Sequence, residues 1–278
     1  MTFETKLKAL IGIGFLAVVA TFGLFDAVEQ GLEYHDFADG NRHFGIPNFA
    51  NVASNLAYLI PGLMGLYLVQ GSFADQTKFR QPGEALPFYL VFAGAVLLAF
   101  GSGFYHLEPN NQTLVADRLT MTVGFMGVLG FIIAERLSVK WGLRLLPVFL
   151  ALGLFSVVYW IYTEMQSAGD LRLGDLRLYG LVQYLPLVLI PVILLAFPAR
   201  YTAVKYIWLA LGSYALAKAF EHFDHQIWEL TQHLMSGHTL KHLVSGLGIY
   251  FLVLYIKQRQ ISPTGDQDRG TGLNVANS

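Results

Sequence analysis

Eight stretches of about twenty mostly apolar residues follow one another along this chain. A helix of that length is what a hydrocarbon core about 30 Å thick requires for a crossing. The stretches run Leu7–Val28, Asn48–Gln70, Ala85–His106, Val115–Ala134, Trp141–Tyr162, Leu178–Phe197, Tyr201–Phe220 and His238–Ile256. The segments between them are short and carry the charges, and no large soluble domain fits anywhere. The pattern predicts an all-α integral membrane protein. Composition agrees: 54% of the 278 residues are hydrophobic and 13% charged, against about a quarter charged in a soluble domain. Intrinsic disorder, which needs low hydrophobicity and high charge, is excluded as well.

Eighteen Lys and Arg against 19 Asp and Glu leave no basic field to hold nucleic acid. With no cysteine, disulfides, thiolate nucleophiles, Cys-ligated zinc and iron–sulfur clusters are ruled out. A metal here must be held by His, carboxylates or water. The first stretch follows Lys6 and Lys8 like a signal peptide. It lacks an A-x-A cleavage site, however, and is long for an h-region, so it is expected to remain as a helix.

Positive charge orients the spans. With the N-terminus cytoplasmic, the inner segments hold twelve of the 18 Lys and Arg, including Lys78, Arg80, Arg136, Lys140, Arg144, Arg200, Lys257 and Arg259. Both termini are then cytoplasmic. All eight histidines fall at the opposite, outer face: His35, His43, His106, His222, His225, His233, His238 and His242. Polar loops exist on both faces, yet only one carries imidazoles, which favours a site at the outer helix ends.

Three short pieces meet there. Ser102 and His106 are four apart at the end of the third stretch. Asp117 opens the fourth after a ten-residue reversal. His238 and His242, again four apart, open the last. Residues four apart share one helical face. Three imidazoles with an open fourth position form the usual catalytic zinc arrangement, in which the pKa of a coordinated water falls to about 7. Asp117 can orient such a water and take its proton, and Ser102 can donate a hydrogen bond to a developing oxyanion. Spacing alone leaves interhelical hydrogen bonding open as the alternative, and Asp117 can equally be an acid in a helix first turn. Glu221, His222, Asp224 and His225 form a rival cluster. They can make a second metal site, or Glu221 and Asp224 can orient metal-bound imidazoles, while Lys218 snorkels to the interface. Asn51, Ser54 and Asn55 place a polar stripe on the second stretch, readable as helix–helix hydrogen bonding. Asp36, Asp39 and Asn41, followed by Asn48, resemble the oxygen supply of a calcium loop, although a capped, solvated loop fits the same spacing.

The three separated motifs together resemble the alkaline ceramidase family, within the CREST group of seven-helix membrane hydrolases, and the form Tyr105-His106-Leu107 with Asp117-Arg118-Leu119 is similar to its bacterial branch. The resemblance covers about residues 36–256. It implies zinc on His106, His238 and His242, with Asp117 and Ser102 catalytic. It further implies a calcium site on Asp36, the Phe37 carbonyl, Asp39 and Asn41. The last family ligand there is an acid, whereas this chain offers Asn48 at a shorter spacing. Arg118 also departs, standing where the eukaryotic ceramidases carry an acid. The implied fold is a seven-helix CREST-like bundle, 31–258, preceded by one extra N-terminal transmembrane helix, 1–30, and followed by a disordered cytoplasmic tail, 259–278. The implied activity is zinc-dependent hydrolysis of the amide of a ceramide-like lipid, in a bacterial inner membrane with the site toward the periplasm. The expected partners are substrate and membrane lipids, without nucleic acid or an obligate protein partner. The alternative is a receptor or lipid-binding protein with structural zinc. A closed structural site would take a fourth protein ligand, so the position of Asp117 separates the two.

Overall fold

The computed structural model describes residues 1–166 and 174–262. Residues 167–173, and most of the expected disordered tail (263–278), lie outside the described residues. Those described form ten α-helices and no strand. Seven helical spans are long and apolar enough to cross a membrane, so the chain is a multi-pass integral membrane protein.

α1 (Phe3–Leu24) is capped by the Thr2 hydroxyl and is apolar all round, with Leu10 its one buried residue. It packs on α7 (Arg177–Ala196). Polar ties hold its two ends: Lys6 Nζ donates to the Ala196 carbonyl at 2.7 Å, and Arg177 Nη1 to that of Phe25 at 2.7 Å. The second apolar stretch is broken into α2 (Phe49–Ala53) and α3 (Leu56–Ser72). α4 (Leu86–Leu107) and α5 (Asn111–Arg136) form the tightest hairpin. A Cβ on Gly94 would lie 2.7 Å from the Gly124 nitrogen, and one on Gly101 2.6 Å from the Ala116 carbonyl oxygen. Small residues let the two backbones approach that closely. α5 starts earlier than its apolar run because Asn110 and Thr113 form a capping box.

α6 (Val139–Gln166) packs on α5, and α10 (Gly237–Gln258) lies between α3 and α8 (Lys205–His222). Large apolar side chains such as Phe15, Tyr67, Phe100, Phe155 and Leu195 face outward, as lipid contact requires. α8 fills the seventh expected span but is not among the seven apolar ones. Its 18 residues would extend only about 27 Å, and they include Lys205, Lys218 and Glu221.

The expected boundary of the tail shifts. Arg259 is fully buried rather than exposed. It pairs with Glu135 and lies over the rings of Phe79, Phe88 and Tyr201. Tyr255 also donates to Glu135, at 2.6 Å.

Candidate metal centre

His106 lies on the last turn of α4, and His238 and His242 on the first two turns of α10. α10 can start where it does because Ser236 caps it, its hydroxyl accepting from the Thr239 N–H at 3.1 Å. Residue 237 must be glycine, since a Cβ there would lie 2.2 Å from the Phe220 carbonyl oxygen. The His238 backbone is then held by Asp224, which opens the short α9 (Asp224–Leu230). Its Oδ1 accepts from the His238 backbone N–H at 2.7 Å, and its Oδ2 from that of Ala38 at 3.0 Å.

The three imidazoles converge. Their ring centroids are 4.9, 5.0 and 4.9 Å apart, and one nitrogen from each lies within 4.8 Å of the others. All three are buried, His106 and His242 to 1% exposure. Zinc–nitrogen bonds are about 2.0–2.1 Å, so a metal bound there would draw the three nitrogens closer together. His106 Nδ1 is buried without a hydrogen-bond partner, an uncompensated cost unless a ligand offsets it. The triad can therefore bind a metal ion. Asp117 is not part of this group of ligand atoms.

The tautomer of His242 follows from its partner. Ser54 Oγ donates to the Asn51 carbonyl at 3.0 Å and lies 2.8 Å from His242 Nδ1. A hydroxyl has one hydrogen, so Ser54 must accept from Nδ1–H. Nε2 of His242 is left with a free lone pair. The polar stripe on the second span does bond helix to helix, since Asn51 Oδ1 accepts from Thr239 Oγ1 at 3.0 Å. Its role at a triad histidine is the part sequence reasoning missed, and the stripe was the signal.

The carboxylates expected to orient the imidazoles do not touch the rings. Asp224 holds backbone instead. Glu221 binds Lys241 at 2.7 Å, Lys218, and the Tyr34 hydroxyl at 3.2 Å. Lys218 is thus paired inside rather than snorkelling outward. The rival set of Glu221, His222, Asp224 and His225 does not converge as the triad does. Lys241 Nζ is also 3.3 Å from His238 Nε2.

A cavity of about 790 Å³ opens beside the triad, lined by residues of α1, α3, α4, α5, α7, α8 and α10. Ser102, Asp117, Lys241 and His242 line one end, and Leu98, Phe125, Ile207 and Leu252 line its body. The Gly101–Ala116 approach brings the Ser102 hydroxyl within reach of the Asp117 carboxylate. Lining residues on α4 run from Val91 to Ser102, about 16 Å along the helix axis.

The segment expected to hold calcium packs over the triad. The Phe37 ring lies 4.7 Å from His106 and 4.5 Å from His238. The Asp36 carbonyl lies 3.1 Å from His225 Nε2, and Asp39 Oδ1 accepts from the Asn41 N–H at 3.0 Å. Asn48, in the left-handed region at φ 47°, donates its side-chain N–H to the His106 carbonyl at 2.9 Å. Within the segment Asp36 and Asp39 supply carboxylates, and Asp224 brings a third to the Ala38 N–H. Comparison of the chain with protein-family models, curated proteins and solved structures finds no match.

Proposed function

We propose that this protein is a zinc-dependent membrane amidohydrolase of the alkaline ceramidase type, a CREST-like seven-helix bundle with one added N-terminal helix. It would cleave the amide of a ceramide-like lipid to a long-chain base and a fatty acid. The observation that carries the reading is one arrangement. A buried triad with no carboxylate among its ligand atoms stands at the polar end of an apolar slot. Three histidines leave a metal one open position, as catalysis needs and a closed structural site does not.

When bound, the metal would supply Lewis acidity to the amide carbonyl and to water. The rest falls to the chain. The apolar body of the slot holds the acyl chain and excludes water from it. Asp117 receives the proton of the attacking water as its oxygen bonds to the amide carbon. The Ser102 hydroxyl donates to the carbonyl oxygen as negative charge develops. Asp117 then returns the proton to the departing nitrogen as the carbon–nitrogen bond breaks, leaving a carboxylic acid and an amine. The positive-inside pattern supports a triad opening at the non-cytoplasmic face.

Metal analysis of the purified protein, joined to lipid-hydrolysis profiling, tests this. The expected result is about one zinc per chain and fatty acid released from lipid amides, both lost in His238→Ala. Zinc bound with no amide cleaved would favour the receptor reading.

A further inference from the structure

The charges that line the cavity do not balance. Arg118, Lys218 and Lys241 face only Asp117 and Glu221 there, apart from Arg177, which is paired with Asp175. The two lysines share one carboxylate, Glu221. Arg118 has no carboxylate within ion-pair distance among the described residues. It donates to the Gln30 side chain, and its guanidinium lies 4.2 Å from the Trp160 ring centroid and 4.8 Å from that of Tyr179. Its exposure is 6%, and Nη1 has no hydrogen-bond partner.

Burying a guanidinium without an acid is costly. The aromatic faces and Gln30 hold it in place but leave a donor unused. Stacked, oriented guanidinium is the group that reads carboxylate or phosphate bidentately. Because Arg118 lines the same cavity as Asp117 and is on the same turn of α5, an anion recognised there belongs to the part of the substrate next to the amide, not to the far end of the acyl chain.

Building on the hydrolase reading, we infer that Arg118, backed by Lys218 and Lys241, recognises an anionic group on the polar side of the scissile amide. The preferred substrate class is then an acidic lipid amide, such as an N-acyl amino acid, over a neutral one.

The test compares N-dodecanoylglycine with N-dodecanoylethanolamine, which share an acyl chain and an amide and differ in the carboxylate. In the wild-type protein kcat/KM should favour the acid by about ten- to hundredfold, the range of a hydrogen bond to a charged group. Arg118→Gln should bring that ratio close to one, chiefly through KM, and Arg118→Lys should restore part of it. A purely structural arginine would lower both rates together and leave the ratio unchanged. A wild-type preference for the neutral amide, or a preference that survives Arg118→Gln, overturns the inference. If neither amide is cleaved, the hydrolase reading fails, and displacement of a bound fluorescent lipid decides the anion question alone. Acylglycine should then compete better than acylethanolamine with the wild type and equally with Arg118→Gln; equal competition with the wild type sinks it. Dodecanoic acid is the third competitor. If it matches acylglycine and loses its hold equally in Arg118→Gln, the site reads a product carboxylate and the headgroup assignment is wrong.

Discussion

Ser54 and His242 are 188 residues apart in sequence and 2.8 Å apart in space, the serine oxygen accepting from Nδ1–H of the imidazole. That contact fixes which nitrogen of His242 can meet a metal. Partners of this kind typically contribute 10–100-fold to metal affinity. Ser54→Ala should weaken zinc binding by about that range, read by competition with a chelator of known affinity in detergent. Helical content should not change. Unaltered affinity would mean the ring is held by packing alone.

Asp117 and the metal are expected to be separable. Asp117→Asn preserves size and removes the basic oxygen. Zinc content should stay near one per chain while turnover falls about 10²-fold or more. Ser102→Ala should also retain zinc, with a loss of about 10²–10³-fold. Loss of metal from Asp117→Asn would make the aspartate a ligand and close the site.

At the other end of the bundle, Glu135 and Arg259 form a buried pair. Removing one partner strands the other charge, which costs about 3–5 kcal/mol. Arg259→Leu should lower thermal stability in detergent markedly. The double variant Glu135→Leu with Arg259→Leu should recover much of the loss. Equal melting of all three proteins would show that the pair carries no coupling.

Asp175, in the turn before α7, predicts a pH effect. Burial would raise its pKa, but hydrogen bonds from the Arg177 guanidinium, the Arg177 N–H and the Tyr159 hydroxyl prevail and hold it below the usual value of 3.8. A depressed carboxylate stabilises the fold above its unfolded pKa and loses that contribution as pH falls through the folded one. Stability should therefore drop more steeply below about pH 4 in the wild type than in Asp175→Asn. Parallel acid profiles would remove Asp175 from the account.

The absence of cysteine makes the topology directly readable. Leu234→Cys, at a position 84% exposed beside the triad end, should react with an impermeant thiol reagent from the non-cytoplasmic side. Lys140→Cys, in the first turn of α6, should react only after permeabilisation. The reverse pattern would invert the orientation.

Most helix positions were legible in the sequence, because membrane thickness sets the length of an apolar run and short loops leave little choice of connection. The four-residue spacings of Ser102 with His106 and of His238 with His242 were legible for a local reason, since helical geometry alone puts such pairs on one face. What only the tertiary structure decided depends on contacts distant along the chain. Hydropathy does not show that Ser54 reaches His242, that Asp224 holds the His238 backbone, or that Glu221 gathers two lysines. It cannot show Arg259 beneath the bundle either, because a charged residue after a span reads as loop until its partner Glu135 is in place. α8 reads as another apolar span, although its Lys218 and Glu221 are turned into a cavity that exists only once several helices have packed around it.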